Sequence, residues 1–167
     1  MSIVVRLAAP SDAKQIATIH VETWQNTYRG FIPNSYLNSL SIPNRTKKWL
    51  SMLNDKNDKS VYFVGEIDNR VMGWLSLCKC RDRDASNTWG ELGGMYIHPL
   101  AQSKGLGTAL MQEGLKQLKK LGYEKATLWV LTSNIKARRF YESKGWRLDG
   151  KIKVDPRDGF DLGFILK

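Results

Sequence analysis

The stretch Gly94-Met-Tyr-Ile-His-Pro-Leu-Ala-Gln-Ser-Lys-Gly-Leu-Gly-Thr-Ala-Leu110 constrains this chain more than any other. A β-like run passes through a glycine-bearing turn directly into an apolar-periodic helix. Gly105 and Gly107 carry no Cβ, so the backbone between Gln102 and Thr108 can come close to a ligand with its N–H groups pointing outward. The helix that begins there adds its unpaired first-turn amides and the positive end of its dipole. Together these favour a phosphate or pyrophosphate.

Composition narrows the setting. At 167 residues the chain fits one domain over 1–167, long enough to bury about two thirds of its unfolded surface. Its two cysteines, Cys78 and Cys80, form a Cys-x-Cys run that can build neither a disulfide framework nor a four-ligand zinc site, so no metal is expected and a reducing cytoplasm suits them. Both thiols project from one face of a strand, as a redox pair or as structural thiols. The opening Met1 to Pro10 is too short an apolar run for a signal peptide, and no later run reaches membrane-spanning length. A cytoplasmic protein with no membrane partner is expected. The formal charge of +10, from 26 Lys+Arg against 16 Asp+Glu, invites a polyanion reading. Yet the basic residues are spread over Arg45 to Lys48, Lys116 to Lys120, Lys136 to Arg139 and Lys144 to Lys153, with no nucleic-acid motif, so no nucleic-acid partner is expected.

Taken in order, Ile3 to Leu7 reads as a strand, with Pro10-Ser-Asp12 as the N-cap of a helix running to about Asn26. Ile16, Ile19, Thr23 and Trp24 share its inner face, and His20 falls beside them as a packed residue without a role. Helical segments over Asn34 to Leu40 and Pro43 to Leu53 follow. Val61 to Ile67 and Val71 to Cys78 then form a hairpin around Asp68-Asn-Arg70. Trp89 to His98 is a strand in which Gly93-Gly94 can carry a bulge that resets the alternation placing Glu91, Met95 and Ile97 on one face. The next helix ends at Gly122. Ala126 to Leu131 reads as a buried strand, and Ser133 or Asn134 caps a helix that ends at Gly145. A hairpin of Trp146 to Val154 and Phe160 to Leu166, around Asp155 to Gly159, closes the chain.

Two familiar phosphate loops do not fit Gln102 to Thr108. In a P-loop the lysine follows the glycines, whereas Lys104 precedes both; a dinucleotide fingerprint would need a glycine at Leu110. The pattern Gln/Arg-x-x-Gly-x-Gly/Ala fits as Gln102, Gly105 and Gly107. Downstream stands Asn134-x-x-Ala137-x-x-Phe140-Tyr141-x-x-x-Gly145-Trp146. The pair resembles the two motifs of the GNAT superfamily of acetyl-CoA-dependent N-acetyltransferases, with Trp146 where a phenylalanine is usual. Trp24-x-x-x-Tyr28-x-Gly30 is similar to N-terminal segments of some members.

The resemblance implies an α/β fold of mixed α+β character, a mixed, mostly antiparallel sheet of about seven strands with helices on both faces and splayed strands forming the CoA cleft. It implies acetyl-CoA as donor, held at Met95, Tyr96, Ile97, Gln102, Ser103, Lys104, Gly105, Leu106, Gly107, Thr108, Asn134 and Tyr141. Tyr141 would protonate the departing thiolate, and Glu91 is either the base for the amine or an ordinary strand carboxylate; His98 is a second candidate base or a surface residue. Trp24, Tyr28 and Phe31 either line the acceptor pocket or plug the core. The expected function is N-acetyl transfer to a primary amine of a small molecule, by direct attack and without a metal, in a monomer or homodimer. The alternatives are a catalytically inactive CoA-binding module and an acetyltransferase of protein N-termini or lysines.

Overall fold

The computed structural model describes residues 1–154 and 161–166. Seven strands, β1 (Ile3–Leu7), β2 (Val61–Ile67), β3 (Arg70–Lys79), β4 (Trp89–Ile97), β5 (Lys125–Leu131), β6 (Arg147–Val154) and β7 (Asp161–Leu166), form one sheet in the order β1-β2-β3-β4-β5-β7-β6. Only β4 and β5 are parallel. That mixed, mostly antiparallel sheet is the expected one. The turn Asp155 to Gly159 of the last hairpin lies outside the described residues.

Helices α1 (Ala13–Thr27), α2 (Asn34–Ser39) and α3 (Ile42–Asn54) separate β1 from β2; α4 (Leu106–Lys120) joins β4 to β5, and α5 (Ile135–Ser143) follows β5. α1 and α3 bury Ile16, Ile19 and Trp49 against Val64 and Trp74 on one face of the sheet. On the other face α4 buries Leu106, Leu110, Met111 and Leu118 against Phe63, Leu75, Leu77 and Leu92, joined by Phe140 and Tyr141 of α5. The approach of α4 is close enough that a Cβ added at Gly114 would stand 2.5 Å from Leu75 Cδ2.

Local signals set the ends of these elements. Asp68 and Asn69 both have positive φ (49° and 65°), which matches a two-residue hairpin turn to the twist of β2 and β3. α4 stops in a Schellman motif: the Gly122 and Tyr123 amides donate to the carbonyls of Lys119 and Leu118. The expected cap at Asp12 is not made. Its side chain accepts no amide from the first turn of α1. Instead it accepts Arg6 Nη1 and Nη2 at 2.8 and 2.9 Å and the Ala9 amide at 2.8 Å, since a strand arginine opposite the helix entry is a stronger donor than a turn amide.

The Arg6 fork, with the Ala9 amide, holds the buried Asp12 carboxyl below its ordinary value of 3.8. A lowered folded-state value means the stabilisation is complete above the ordinary carboxylate range and disappears as pH falls through the lowered value. Asp12→Asn should therefore cost roughly 1 kcal/mol at neutral pH, a figure kept small because Arg6 is partly exposed. Melting curves should show the wild type and the variant converging as pH falls below the ordinary carboxylate range.

Candidate active site

The site is made by a failure of pairing. β4 and β5 pair only from Trp89↔Lys125 to Leu92↔Leu128. Beyond Leu92 the ladder stops, because an extra residue, Gly93, is inserted where β4 passes from Leu77↔Leu92 to Ser76↔Gly94. Leu92, Met95 and Ile97 consequently all face α4, which strict alternation forbids, while Glu91, opposite Cys78, and Tyr96, packed on Trp74, face the α1 side. The anticipated bulge is present, and it separates Glu91 from Met95 and Ile97.

Past the bulge one edge of β4 is open. The His98 amide donates to Met72 on β3 at 2.8 Å, so by antiparallel alternation the backbone of Tyr96 also faces β3 while that of Met95 and Ile97 faces the gap. The Ile97 carbonyl does face that way, accepting Gln102 Nε2 at 3.3 Å and Thr23 Oγ1 at 3.4 Å. A cavity of about 950 Å³ occupies the gap.

At one end lies the glycine loop. Ser103 (φ 62°) and Gly105 (φ 88°) are both left-handed, turning the backbone sharply into α4. No side chain caps that helix, and its first intrahelical bond is Ala109 N to Gly105 O at 3.1 Å, so the amides of Leu106, Gly107 and Thr108 have no acceptor within the helix. Lys136 Nζ donates to Gln102 Oε1 at 3.0 Å and adds a positive charge beside the loop. Uncapped amides and a lysine give this end of the cavity a positive potential.

Tyr141 projects from the opposite wall, and the sequence shows why it is held there. It is the third residue from the end of α5, whose stop is a second Schellman motif with Gly145 at φ 90°: the Trp146 amide donates to the Tyr141 carbonyl at 3.1 Å, and Trp146, 2% exposed, packs its ring on that of Tyr141. The Trp146 indole donates to Met111 Sδ at 3.3 Å, so an indole fits where a phenyl would need no partner. Burial, with a contribution from Tyr96, pushes the Tyr141 phenol upward. Its hydroxyl makes no hydrogen bond to any described residue. Tyr28 is pushed up as well, by burial and then by Tyr96 and Tyr141, while its hydroxyl interacts with Tyr96 and with the Asn134 amide. Asn134, whose Oδ1 accepts the Ala137 amide at 3.2 Å as the cap of α5, lines the same cavity as the tyrosines. Three phenols meet in one cavity.

Glu91 is 2% exposed and is tied to Arg81: Oε1 accepts the Arg81 amide at 3.2 Å, and Oε2 accepts Nε at 3.0 Å and Nη2. Cys80 is hydrogen-bonded to Thr127, and Asp82 to Trp129. These acids and Cys80 bring ligand atoms within 4.8 Å of one another, but each is already engaged by a protein donor. Burial and the Glu91 charge push Cys78 up to about 11, which favours its thiol form. His98 is outside the cavity. Its Nδ1 accepts the Leu100 amide at 3.2 Å, leaving Nε2 to donate to Glu22 at 2.7 Å, so it clips α1 to the start of the loop. His20 stacks between Trp24, Trp74 and Tyr96.

Of the residues singled out in the sequence, the cavity brings together Glu91, Met95, Tyr96, Ile97, Gln102, Ser103, Gly105, Gly107, Thr108, Asn134, Tyr141, Trp24 and Tyr28. It leaves out Lys104, the fully buried Leu106 side chain and Phe31, which is 49% exposed. Among the wall residues not singled out in the sequence are Lys136 and Arg81. Lys136 sits two positions after a helix cap, where a charge faces whatever the cap faces. Arg81 lies in a stretch of alternating charge that reads as an ordinary polar loop.

A sheet opened between its two parallel strands, with a positive potential at one end and a phenol aimed into the gap, defines an acyltransferase cleft. The acetyltransferase (GNAT) family matches residues 16–146, and the chain belongs to that family. It is 33% identical over 132 residues to YuaI, an uncharacterised N-acetyltransferase of Bacillus subtilis, covering 79% of this chain and 73% of the relative. A spermidine N(1)-acetyltransferase of Thermoplasma acidophilum is 26% identical over 97% of this chain and 95% of its own length. Among solved structures, the PaiA N-acetyltransferase of Thermoplasma acidophilum in complex with coenzyme A superposes with a TM-score of 0.78 at 24% identity, over 100% of this chain and 99% of that one. Among the described residues no helix is long and apolar enough to cross a membrane.

Proposed function

We propose that this acyltransferase moves the acetyl group of acetyl-CoA directly onto a primary amine of a small molecule. The observation that carries the reading is the cavity itself, which runs along the open edge of β4 from the uncapped start of α4 to the unpartnered Tyr141 hydroxyl. The pyrophosphate sits on the amides of Gly105 to Thr108, with Gln102, Ser103, Lys104 and Lys136 around it. The pantetheine arm runs along the backbone of Met95 and Ile97 in place of a missing strand and reaches the Asn134 amide. A free N–H on that edge polarises the thioester carbonyl. Tyr141 donates to the thiolate as it leaves.

The acceptor enters from the α1 side, between Trp24, Tyr28 and Tyr96. Its amine must lose a proton before it attacks. The Glu91 oxygens already accept three N–H groups of Arg81, so a water bridging the amine to Glu91 completes the relay. Wide aromatic walls around a confined cavity favour a small molecule over an extended polypeptide.

Acetyl-CoA at a hundred times its dissociation constant should stabilise the protein by about 2.7 kcal/mol in a thermal melt. No shift with acetyl-CoA or CoA would overturn the donor assignment. Gly107→Ala tests how much room the loop leaves at its second glycine. A Cβ there would meet Phe140 at 3.4 Å and Ile97 at 3.8 Å, ordinary contacts, so the variant should fold with stability unchanged or raised by up to about 1 kcal/mol. Alanine is also the alternative that the Gln/Arg-x-x-Gly-x-Gly/Ala pattern allows at this position, so the acetyl-CoA thermal shift should be kept within about threefold in dissociation constant.

A further inference from the structure

Arg81 is the one guanidinium on the cavity wall among the described residues, and its fork is half used. Nε and Nη2 hold Glu91, while the two N–H groups of Nη1 have no partner among the described residues. The head lies over the bulge, where a Cβ on Gly93 would stand 3.6 Å from Nη2 and 2.9 Å from Ser76 Oγ, so no side chain fits between β4 and the guanidinium. Its side chain is 68% exposed although its partner Glu91 is buried, so it can take an oxyanion from the cavity without leaving Glu91. It also lies on the acceptor's side. Glu91, Cys78 and Gly93 share the sheet face of Tyr96 and α1, whereas α4 and its uncapped start lie on the other.

Charge points the same way. The charged residues lining the cavity, among those described, are Arg81, Glu91, Lys136 and Lys144, and the single carboxylate is neutralised by Arg81. A polycationic acceptor would meet Lys136, Lys144 and the Arg81–Glu91 pair, with no carboxylate on the described wall that lacks an arginine partner. We propose that Arg81 Nη1 binds a carboxylate of the acceptor, so that the substrate is a small, amino-acid-like primary amine carrying a carboxylate. Guanidinium and carboxylate match as planar forks. The amine beside that carboxylate is then placed between Glu91 and Tyr96, at the mouth of the gap. This inference rests on the acetyl-transfer reading above.

The test uses protein first shown by thermal shift to bind acetyl-CoA. The twenty amino acids, their decarboxylated amines, their carboxamides and spermidine are screened for CoA release and for stabilisation of the CoA-loaded protein. The proposal expects the turned-over or stabilising compounds to be carboxylates, with kcat/KM at least about tenfold above the matched amine and amide. Arg81→Lys, which keeps the charge near Glu91 but loses the fork, should raise KM for the carboxylate acceptor about tenfold and leave KM for acetyl-CoA unchanged. The doubly neutral Arg81→Met/Glu91→Gln variant, which also loses the proton relay and is therefore read by stabilisation of the CoA-loaded protein alone, should lose the preference for acids while still being stabilised by acetyl-CoA. Amines, amides or spermidine matching the acids, or no acid either binding or reacting, would overturn the proposal with the donor assignment intact. Failure of acetyl-CoA to bind would overturn both.

Discussion

Replacing Tyr141 by phenylalanine is expected to lower kcat by about 10²-fold while KM for acetyl-CoA changes by less than about threefold, the loss that follows when one donor to a developing charge is removed. The phenol is pushed upward by burial and by Tyr96, so it stays protonated throughout the physiological range. With its ordinary value already near 10 and pushed higher, it is a weaker acid than the departing thiol. Its contribution is a hydrogen bond that strengthens as the C–S bond breaks, in place of a completed proton transfer. Two results follow. The pH profile of kcat should show no alkaline fall from Tyr141 up to about pH 10. The variant should also melt within about 0.5 kcal/mol of wild type, because the hydroxyl has no hydrogen bond to a described residue to lose.

Arg81→Ala destabilises the fold by about 2 to 3 kcal/mol, and Glu91→Gln by no more than about 1, though the two changes break the same ion pair. The asymmetry comes from burial. Glu91 is 2% exposed and the Arg81 side chain 68%, so removing the arginine strands a carboxylate inside the protein whereas removing the acid leaves a guanidinium already in water. The first figure sits at or below the low end for buried pairs because one partner is solvated. Chemical denaturation of the two single variants and of Arg81→Ala/Glu91→Gln checks this, with the double variant recovering most of the Arg81→Ala loss. Equal costs for the two single changes would contradict the geometry.

What the sequence made legible is what neighbouring residues decide. Gly105, Gly122 and Gly145 mark left-handed positions that end or begin helices, Asn134 is a cap within three residues of its partner, and Gly93-Gly94 signals a bulge; each works through bonds only a few residues long. The spacing Tyr141, Gly145, Trp146 likewise encodes a Schellman stop, so the phenol's position was written in a local motif. Pairings across the sheet were not legible in this way. Asp12 reads as a cap, but Arg6, on the strand before the helix, captures it. Arg81 reads as a loop charge, and only the return of β4 beside β3 brings Glu91, ten residues on, to its guanidinium. Trp24 and Tyr28 reach the cavity while Phe31, from the same aromatic run, turns outward past Gly30, whose φ of 92° reverses the chain.

The central claim is that the opened edge of β4 delivers an acetyl thioester to an amine without an acyl-enzyme stage. Mass spectrometry of single-turnover reactions tests it most directly. Protein mixed with acetyl-CoA and a panel of amines, stopped over time, should show free CoA and acetylated amine appearing together, with the intact protein mass unchanged at every point. Acetylated protein forming and decaying ahead of product, or CoA release with no acetylated amine, would contradict it.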